Sequence, residues 1–358
     1  MKIGIVTLFD STNFGNKLQN YALQEILKRY TKEVITIKNK PSPKNLKEKL
    51  LRTTPLAESV FINKFFGKRR KAEILRFANK YIASSLKCYY YDRTYEVKPE
   101  KCDYYCVGSD QIWNPDLGRI SGFNYLNFSP REQNFSFAAS FGISSIQNQY
   151  KNDVVEGLRN IRKVSVREEA GLKIVRELSG RKDAEVLIDP TLYISEEEWA
   201  IVAKKPDKFR KCKYLLIYFL GCVSEIRRKR IENFAMQYQL KILDVMNPNS
   251  RFYAIGPDEF VYLIQNADFV CTDSFHASIF SFIFDIPLAI LMREGTGANM
   301  GSRLETLANK FGFSDRLIFD DHFDGRLIDV DYSEGKYILE EERRKVDRFL
   351  NDVFTLHK

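Results

Sequence analysis

Short apolar runs alternate with segments of helical period along almost the whole chain, and that alternation leaves few folds open. IGIVTL at 3–8 is an apolar run bounded by polar residues, the pattern of a parallel strand buried on both faces. Residues 17–30 place Leu18, Tyr21, Ala22, Ile26 and Leu27 on one face of a helix, and EVITI at 33–37 is a β-branched second strand. This βαβ opening begins a doubly wound sheet. Strands are predicted at 104–107, 135–139, 163–167 and 185–188, with a helix near 150–160 and another between the last two strands. Residues 195–212, acid-rich then base-rich, read as a domain junction. The alternation then repeats, with strands at 214–219, 241–245, 269–272 and 287–291 and helices at 224–238, 257–266, 275–284 and 302–311. The expected architecture is α/β, with two Rossmann-like domains, 1–195 and 196–335, facing across a cleft. A charged amphipathic helix within 336–358 is expected to pack back on the first domain.

A chain of 358 residues is too long for one ordinary core, which agrees with two domains. MKIGIVTLF is too short for a signal-peptide core, and no apolar run approaches the roughly 20 residues that span a bilayer. A soluble, cytoplasmic protein is expected. The six cysteines form no C-x-x-C pair, and most lie in apolar runs as reduced core residues. His276, His322 and His357 are far apart in sequence and none stands in H-E-x-x-H, so no metal site is expected.

The net charge of +9 is unevenly placed. Residues 38–80 hold thirteen Lys/Arg against three acids, an excess of ten that accounts for all of it. Leu50, Leu51, Phe61, Ile62, Phe65 and Phe66 interleave with these cations. A basic, amphipathic insertion of this kind suits peripheral contact with the inner face of an anionic membrane. Nucleic acid is the competing partner, not expected here, and a solvated helical face is the simplest alternative.

In open parallel sheets ligands bind beyond the carboxyl ends of the strands, which selects five loops. In FDSTNFGNKLQ (9–19), Asn13, Asn16 and Gln19 surround a tight turn with one glycine, so neither a P-loop nor a dinucleotide fingerprint is present. The turn offers amides to a sugar or anion, or is an ordinary βα turn. In VGSDQIWNP (107–115), Ser109, Asp110 and Asn114 accompany Trp113, a set suited to a carbohydrate, or to an Asx turn over a core tryptophan. Ser109 lies in no G-x-S-x-G elbow and is not read as a nucleophile. Arg167, at the end of an apolar strand, suits a carboxylate or phosphate, or an internal ion pair with a neighbouring Glu. The turn Thr272-Asp273-Ser274 runs into an apolar helix with His276 in its first turn. There helix N–H groups favour an anion beside an acid/base group, or the turn is a cap with a packed imidazole. The glycine-rich loop 293–303 reads as a lid, with Arg303 as a second anion ligand.

Seven blocks together carry a resemblance. They are NFGNKLQNYALQ (13–24), VGSDQIWNP (107–115), FAASFG (137–142), SVREEAG (165–171), DPTL (189–192), TDSFHASIFSFIF (272–284) and SRLETL (302–307). In this order they resemble the polysaccharide pyruvyl transferases over about residues 3–312. The resemblance implies a GT-B-like architecture and transfer of an enolpyruvyl unit from phosphoenolpyruvate to a sugar, usually closing a pyruvate ketal on two hydroxyls. It implies no cofactor, phosphoenolpyruvate being the donor substrate, and a sugar or lipid-linked oligosaccharide of a cell-surface polysaccharide as acceptor. Arg167 corresponds to a donor-binding arginine and His276 to an essential histidine. Ala277 stands where members commonly have Gly, and residues 38–80 and those after 312 carry little of the family's pattern.

On this reading Arg167 and Arg303, with Ser274, hold the donor's carboxylate and phosphate, and His276 is the acid/base group. Asn13, Asn16, Gln19, Ser109, Asp110, Trp113, Asn114 and Asp273 are the acceptor or cleft candidates. Two other classes stay open. One is a GT-B-type glycosyltransferase using a nucleotide sugar; the other is a non-catalytic protein binding membrane or nucleic acid through its basic segment.

Overall fold

Seven strands, all paired in parallel, form the first sheet in the order β3-β2-β1-β4-β5-β6-β7. They are β1 (Lys2–Val6), β2 (Glu33–Lys40), β3 (Ser84–Tyr90), β4 (Tyr104–Asp110), β5 (Asn134–Ala139), β6 (Ser165–Val166) and β7 (Glu185–Val186). A second parallel sheet has the order β12-β11-β10-β8-β9. Its strands are β8 (Tyr214–Tyr218), β9 (Lys241–Asp244), β10 (Phe269–Thr272), β11 (Leu288–Leu291) and β12 (Leu317–Ile318). The structure, a computed structural model, describes residues 1–9, 13–42, 65–92, 98–207, 209–294, 301–319 and 323–355. Two parallel α/β sheets are what the alternation of apolar runs and helical segments predicts.

The helices between the strands are α1 (Phe14–Lys28), α2 (Phe65–Tyr81), α3 (Asn148–Arg159), α4 (Glu169–Ser179), α5 (Pro190–Tyr193) and α6 (Glu196–Val202). They continue with α7 (Glu225–Gln237), α8 (Pro257–Gln265), α9 (Phe275–Ile283), α10 (Gly301–Lys310) and α11 (Ser333–Thr355). Their starts follow capping chemistry. Ser195 and Glu198 form a reciprocal capping box at α6, and Asn13 caps α1 by accepting from Asn16 N. Among the described residues no helix is long and apolar enough to cross a membrane.

The chain packs as two units. The first takes the described residues of Met1–Lys64, Ala78–Tyr193 and Glu342–Lys358; the second takes Phe65–Phe77 and Ile194–Glu341. This division differs from the sequence reading of the basic stretch. Its residues 43–64 lie outside the described residues, but Phe65–Phe77 belongs to the second unit. The reason is that two of its cations point inward. Arg70 Nη1 donates to the carbonyls of Val245 (3.1 Å) and Tyr253 (2.8 Å). Arg76 Nη2 donates to both carboxylate oxygens of the buried Asp258, at 2.8 and 2.9 Å. Arg70 is therefore buried within the second unit, and Arg76, its side chain 33% exposed, is tied to Asp258 of the same unit.

The final turns of α11 belong to the first unit. Arg343 Nε donates to Leu192 O (3.0 Å) and Lys345 Nζ to Val186 O (2.6 Å), while Phe354 meets the rings of Tyr30, Tyr104 and Phe135. In the first core Trp113, fully buried, stacks on Tyr125 at 5.1 Å and lies against Phe141 at 5.3 Å. Gly157 of α3 makes room for this stack, since a Cβ there would stand 2.2 Å from Tyr125 Cγ. Gly157→Ala should therefore lower stability by about 1–3 kcal/mol through overpacking, despite alanine's better helix propensity. Urea unfolding should show a lower midpoint with an unchanged slope.

Candidate functional site

Each sheet reverses its strand order once, between β1 and β4 in the first and between β8 and β10 in the second. Ligands bind beyond such switch points because the flanking connections run to opposite faces and leave a crevice. At both places the loops are tied by buried polar side chains.

In the first unit, Thr7 Oγ1 donates to Ser109 O (3.1 Å), joining the ends of β1 and β4, and Gln19 Nε2 donates to Thr7 Oγ1 (3.0 Å). Gly108 is required here, because a Cβ would stand 2.1 Å from Phe137 O on the adjacent β5. Asp110 ends β4 with φ 65, a left-handed backbone that a short polar side chain tolerates. Arg167 lies at the end of β6 with its side chain 3% exposed. Its Nη1 donates to Asp189 Oδ2 (2.8 Å), its Nη2 donates to Asp110 Oδ1 (3.3 Å), and its Nε lies 3.9 Å from Glu168 Oε2. Burial lowers the guanidinium's pKa, but Asp110, Asp189 and Glu168 more than offset that and hold it above the ordinary arginine value.

The guanidinium of Arg167 thus has three acidic neighbours, Glu168 beside it in sequence and Asp110 and Asp189 far from it in sequence. Asp189 is saturated: it also accepts from Thr191 N (3.0 Å), Thr191 Oγ1 (2.7 Å) and Ser109 Oγ (3.2 Å). Glu168 Oε1 is taken by Ser140 Oγ and the N–H groups of Phe141 and Gly142. Asp110 is the most exposed acid of the cluster, its side chain 12% exposed against 6% for Glu168 and 0% for Asp189.

The other candidates of this unit are distributed unevenly. Trp113 is no carbohydrate platform: it is buried in the core and its Nε1 donates to Asn124 O (2.9 Å). Asn114 caps a short 3-10 turn by accepting from Asp116 N (2.8 Å), and Ser109 is fully buried with its Oγ on Ala138 O and Asp189. These three positions serve the fold. Asn13 is the partly exposed cap of α1, whereas Asn16 and Gln19 are buried. Both amide atoms of Asn16, Gln19 Oε1 and Asn20 Nδ2 are buried and make no hydrogen bond among the described residues. Groups of that kind call for bound water or a ligand hydroxyl.

In the second unit the apolar helix α9 follows β10. Ser274 is its N-cap, accepting from Ala277 N (3.5 Å), and Ser274 N donates to Thr272 Oγ1 (3.0 Å). His276 stands in the first turn, 8% exposed, with its ring edge-on to Phe275 at 5.4 Å. Arg303, on α10, places its guanidinium carbon 5.7 Å from the Phe275 ring centre, within cation–π range. Phe275 thus contacts both groups. Asp273, a cleft candidate from sequence, ties two loops together. Its Oδ1 accepts from Leu220 N (2.6 Å), and its Oδ2 accepts from Gly221 N (2.8 Å) and Arg293 Nε (3.0 Å). Of the lid loop, residues 295–300 lie outside the described residues, as do His322 and His357. Among the described residues no cluster of His, Cys, Asp and Glu is arranged to hold a metal.

Sequence reading did not select Asp189 or Arg293 as parts of these sites, whereas Glu168 is the neighbouring Glu of its ion-pair alternative. Asp189 left a local signal: Asp-Pro-Thr after a strand is an N-cap followed by proline at the first helical position.

The sequence profile of the family described as polysaccharide pyruvyl transferase matches residues 13–294. No curated protein matches the chain. Among solved structures, UDP-GlcNAc 2-epimerase from Methanocaldococcus jannaschii is similar at TM-score 0.49 and 14% identity, covering 98% of this chain and 99% of that one. UDP-N-acetylglucosamine 2-epimerase from Rickettsia bellii is similar at 0.45 and 11%, covering 98% and 96%. The E. coli ADP-heptose lps heptosyltransferase II is similar at 0.36 and 12%, covering 97% and 100%. Likeness at this level carries no chemistry with it.

The carboxylate cluster makes a ranked prediction. Asp189→Asn removes the closest counter-charge of a buried guanidinium and should cost about 3–5 kcal/mol. Asp110→Asn, at the longer and more open contact, should cost less. Chemical denaturation of the two variants checks the order, and equal losses would contradict it.

Proposed function

The chain belongs to the polysaccharide pyruvyl transferase family, and we propose that it moves a pyruvyl group from phosphoenolpyruvate to hydroxyls of a sugar in a cell-surface polysaccharide or its lipid-linked precursor. Family membership gives the coarser statement, a transferase of polysaccharide modification. The observation that supports the finer one is His276 in the first turn of α9, sharing Phe275 with the Arg303 guanidinium. An acid/base group, a cation and a helix N-terminus then lie in one small region of the second unit.

The proposed chemistry starts when a sugar hydroxyl adds to C2 of phosphoenolpyruvate. The O–C2 bond forms, His276 takes the hydroxyl proton, and the methylene carbon is protonated to a methyl group. A single imidazole can take the first proton and return one to carbon. A second hydroxyl then displaces phosphate from C2, which breaks the C2–O(phosphate) bond and closes the ketal, the hydroxyl's proton leaving with the phosphate. Arg303 and the N–H groups opening α9 stabilise the donor's negative charge.

The test is incubation of candidate acceptors with phosphoenolpyruvate, read by mass spectrometry. The ketal product should be heavier than the acceptor by one pyruvic acid minus one water, with release of inorganic phosphate. His276→Ala should lower turnover by about 10²–10⁴-fold with the fold intact by circular dichroism. Near-normal turnover in that variant would remove His276 from the chemistry. Thermal stabilisation by UDP or GDP with none from phosphoenolpyruvate would replace this reading with a nucleotide-sugar glycosyltransferase.

A further inference from the structure

We infer that Lys38 and Lys40 of β2 form an anion site of the first unit, which takes the diphosphate group that joins a sugar acceptor to a nucleotide or a lipid carrier. The ligand's role as acceptor rests on the pyruvyl transfer reading; the existence of the site does not.

Successive residues of a strand alternate between faces, so Thr36, Lys38 and Lys40 share one face of β2. Thr36 identifies that face as the one covered by α1. Its Oγ1 donates to Asn20 Oδ1 (2.7 Å) and accepts from Gln24 Nε2 (2.8 Å). The opposite face carries Ile37 and Asn39, both buried. Asn39 Nδ2 donates to Thr7 O (2.8 Å), which ties the end of β2 to the end of β1 and, through Thr7 Oγ1, to the switch point. The two lysines flank Asn39, so they stand at the carboxyl end of β2, where open parallel sheets receive their ligands.

The edge strand β3 sets their surroundings. Lys38 is opposite Cys88 and Lys40 opposite Tyr90 in the parallel register, and Lys40 Nζ lies 5.6 Å from the Tyr90 ring centre. Both lysines are half-buried, and Cys88 is exposed. Burial raises the pKa of the Cys88 thiol, while Lys40 and Lys38 both pull it down, so the two ammonium groups stand around one thiol. Among the described residues neither lysine makes an ion pair with an acid. Asp92, just after β3, is engaged by Ser42, accepting from its N (2.8 and 3.0 Å) and its Oγ (2.9 Å). Other lysines of this unit do meet acids, Lys2 with Glu100 at 2.9 Å and Lys163 with Asp352 at 3.2 Å. Two like charges side by side on a strand face repel each other, and an anion between them reverses the sign of that energy. A diphosphate spans such a pair, and lysine binds phosphate as a point charge on a flexible stem.

A polar group suited to the sugar lies alongside. β2 advances about 3.3 Å per residue while α1 runs back about 1.5 Å per residue. From the contact of Thr36 with Asn20, Lys38 therefore comes roughly level with Asn16, whose two amide atoms are buried and make no hydrogen bond among the described residues. An amide that both donates and accepts matches a hydroxyl next to the phosphate.

The Cys88 thiol reports on the site. The whole protein is labelled with N-ethylmaleimide, with and without millimolar inorganic diphosphate, and the rates at Cys88 and at the exposed Cys222 are read by peptide mass spectrometry. Diphosphate should slow labelling of Cys88 by about fivefold or more and leave Cys222 unchanged. The double variant Lys38→Gln, Lys40→Gln should lose that protection, and Lys38→Arg, Lys40→Arg, which keeps both charges, should retain it. Each variant is compared with itself, so a change in thiol reactivity caused by the lost lysines cancels. Protection by UDP-glucose identifies a sugar nucleotide as the source of the diphosphate; protection by phosphatidylcholine vesicles carrying a polyprenyl diphosphate identifies a lipid-linked one. Equal protection by vesicles carrying phosphatidylglycerol instead makes the lysines a membrane contact and overturns the inference. Unprotected Cys88 in wild type, or protection that survives in the double glutamine variant, also overturns it. Phosphoenolpyruvate is absent throughout, so a failure here leaves pyruvyl transfer standing, and a failure of the ketal assay leaves this site standing.

Discussion

A buried carboxylate that is fully hydrogen-bonded organises each switch point, and the functional side chains take their positions from it. In the first unit this is Asp189, which holds Arg167, Ser109 and the start of α5 together. In the second it is Asp273, which holds the β8 loop through two N–H groups and Arg293 through Nε. Taking such a charge out of water costs several kcal/mol, so it persists only where donors surround it closely. The same closeness that satisfies the carboxylate fixes the loops around it.

The two carboxylates leave opposite chemical surfaces beside them. Around Arg167 three acids outnumber one guanidinium, the most exposed of them Asp110. Around α9 an imidazole and the guanidiniums of Arg293 and Arg303 accompany a helix N-terminus, which suits negative charge.

Much of the fold was legible in sequence because parallel strands buried on both faces must be continuous apolar runs. IGIVTL, YYCV, YLLIYF and PLAIL each mark a strand of the structure. The edge strand β3 was not legible. Only one of its faces packs inward, and Leu86 at its centre is 96% exposed, so SSLKCYY carries no apolar run. Residues 65–77 were also misread. A lysine- and arginine-rich helix looks solvated until Val245, Tyr253 and Asp258, nearly two hundred positions away, are seen to accept from its arginines. Trp113 followed the same logic, since Ser109, Asp110, Gln111 and Asn114 lie near it in sequence while its neighbours in space are Tyr125 and Phe141.

The sequence by itself determined two parallel α/β sheets, the loops at their strand ends and the placing of His276 in the first turn of a capped helix. Each of these depends on residues within a few positions of one another, where backbone geometry and periodicity act directly. Tertiary structure alone decided which charges meet which partners. Arg167 went to Asp189 and Asp110, Asp273 to Leu220, Gly221 and Arg293, and Trp113 to the core. A charge is neutralised by whatever lies within a few ångströms, and separation along the chain sets no limit on that distance.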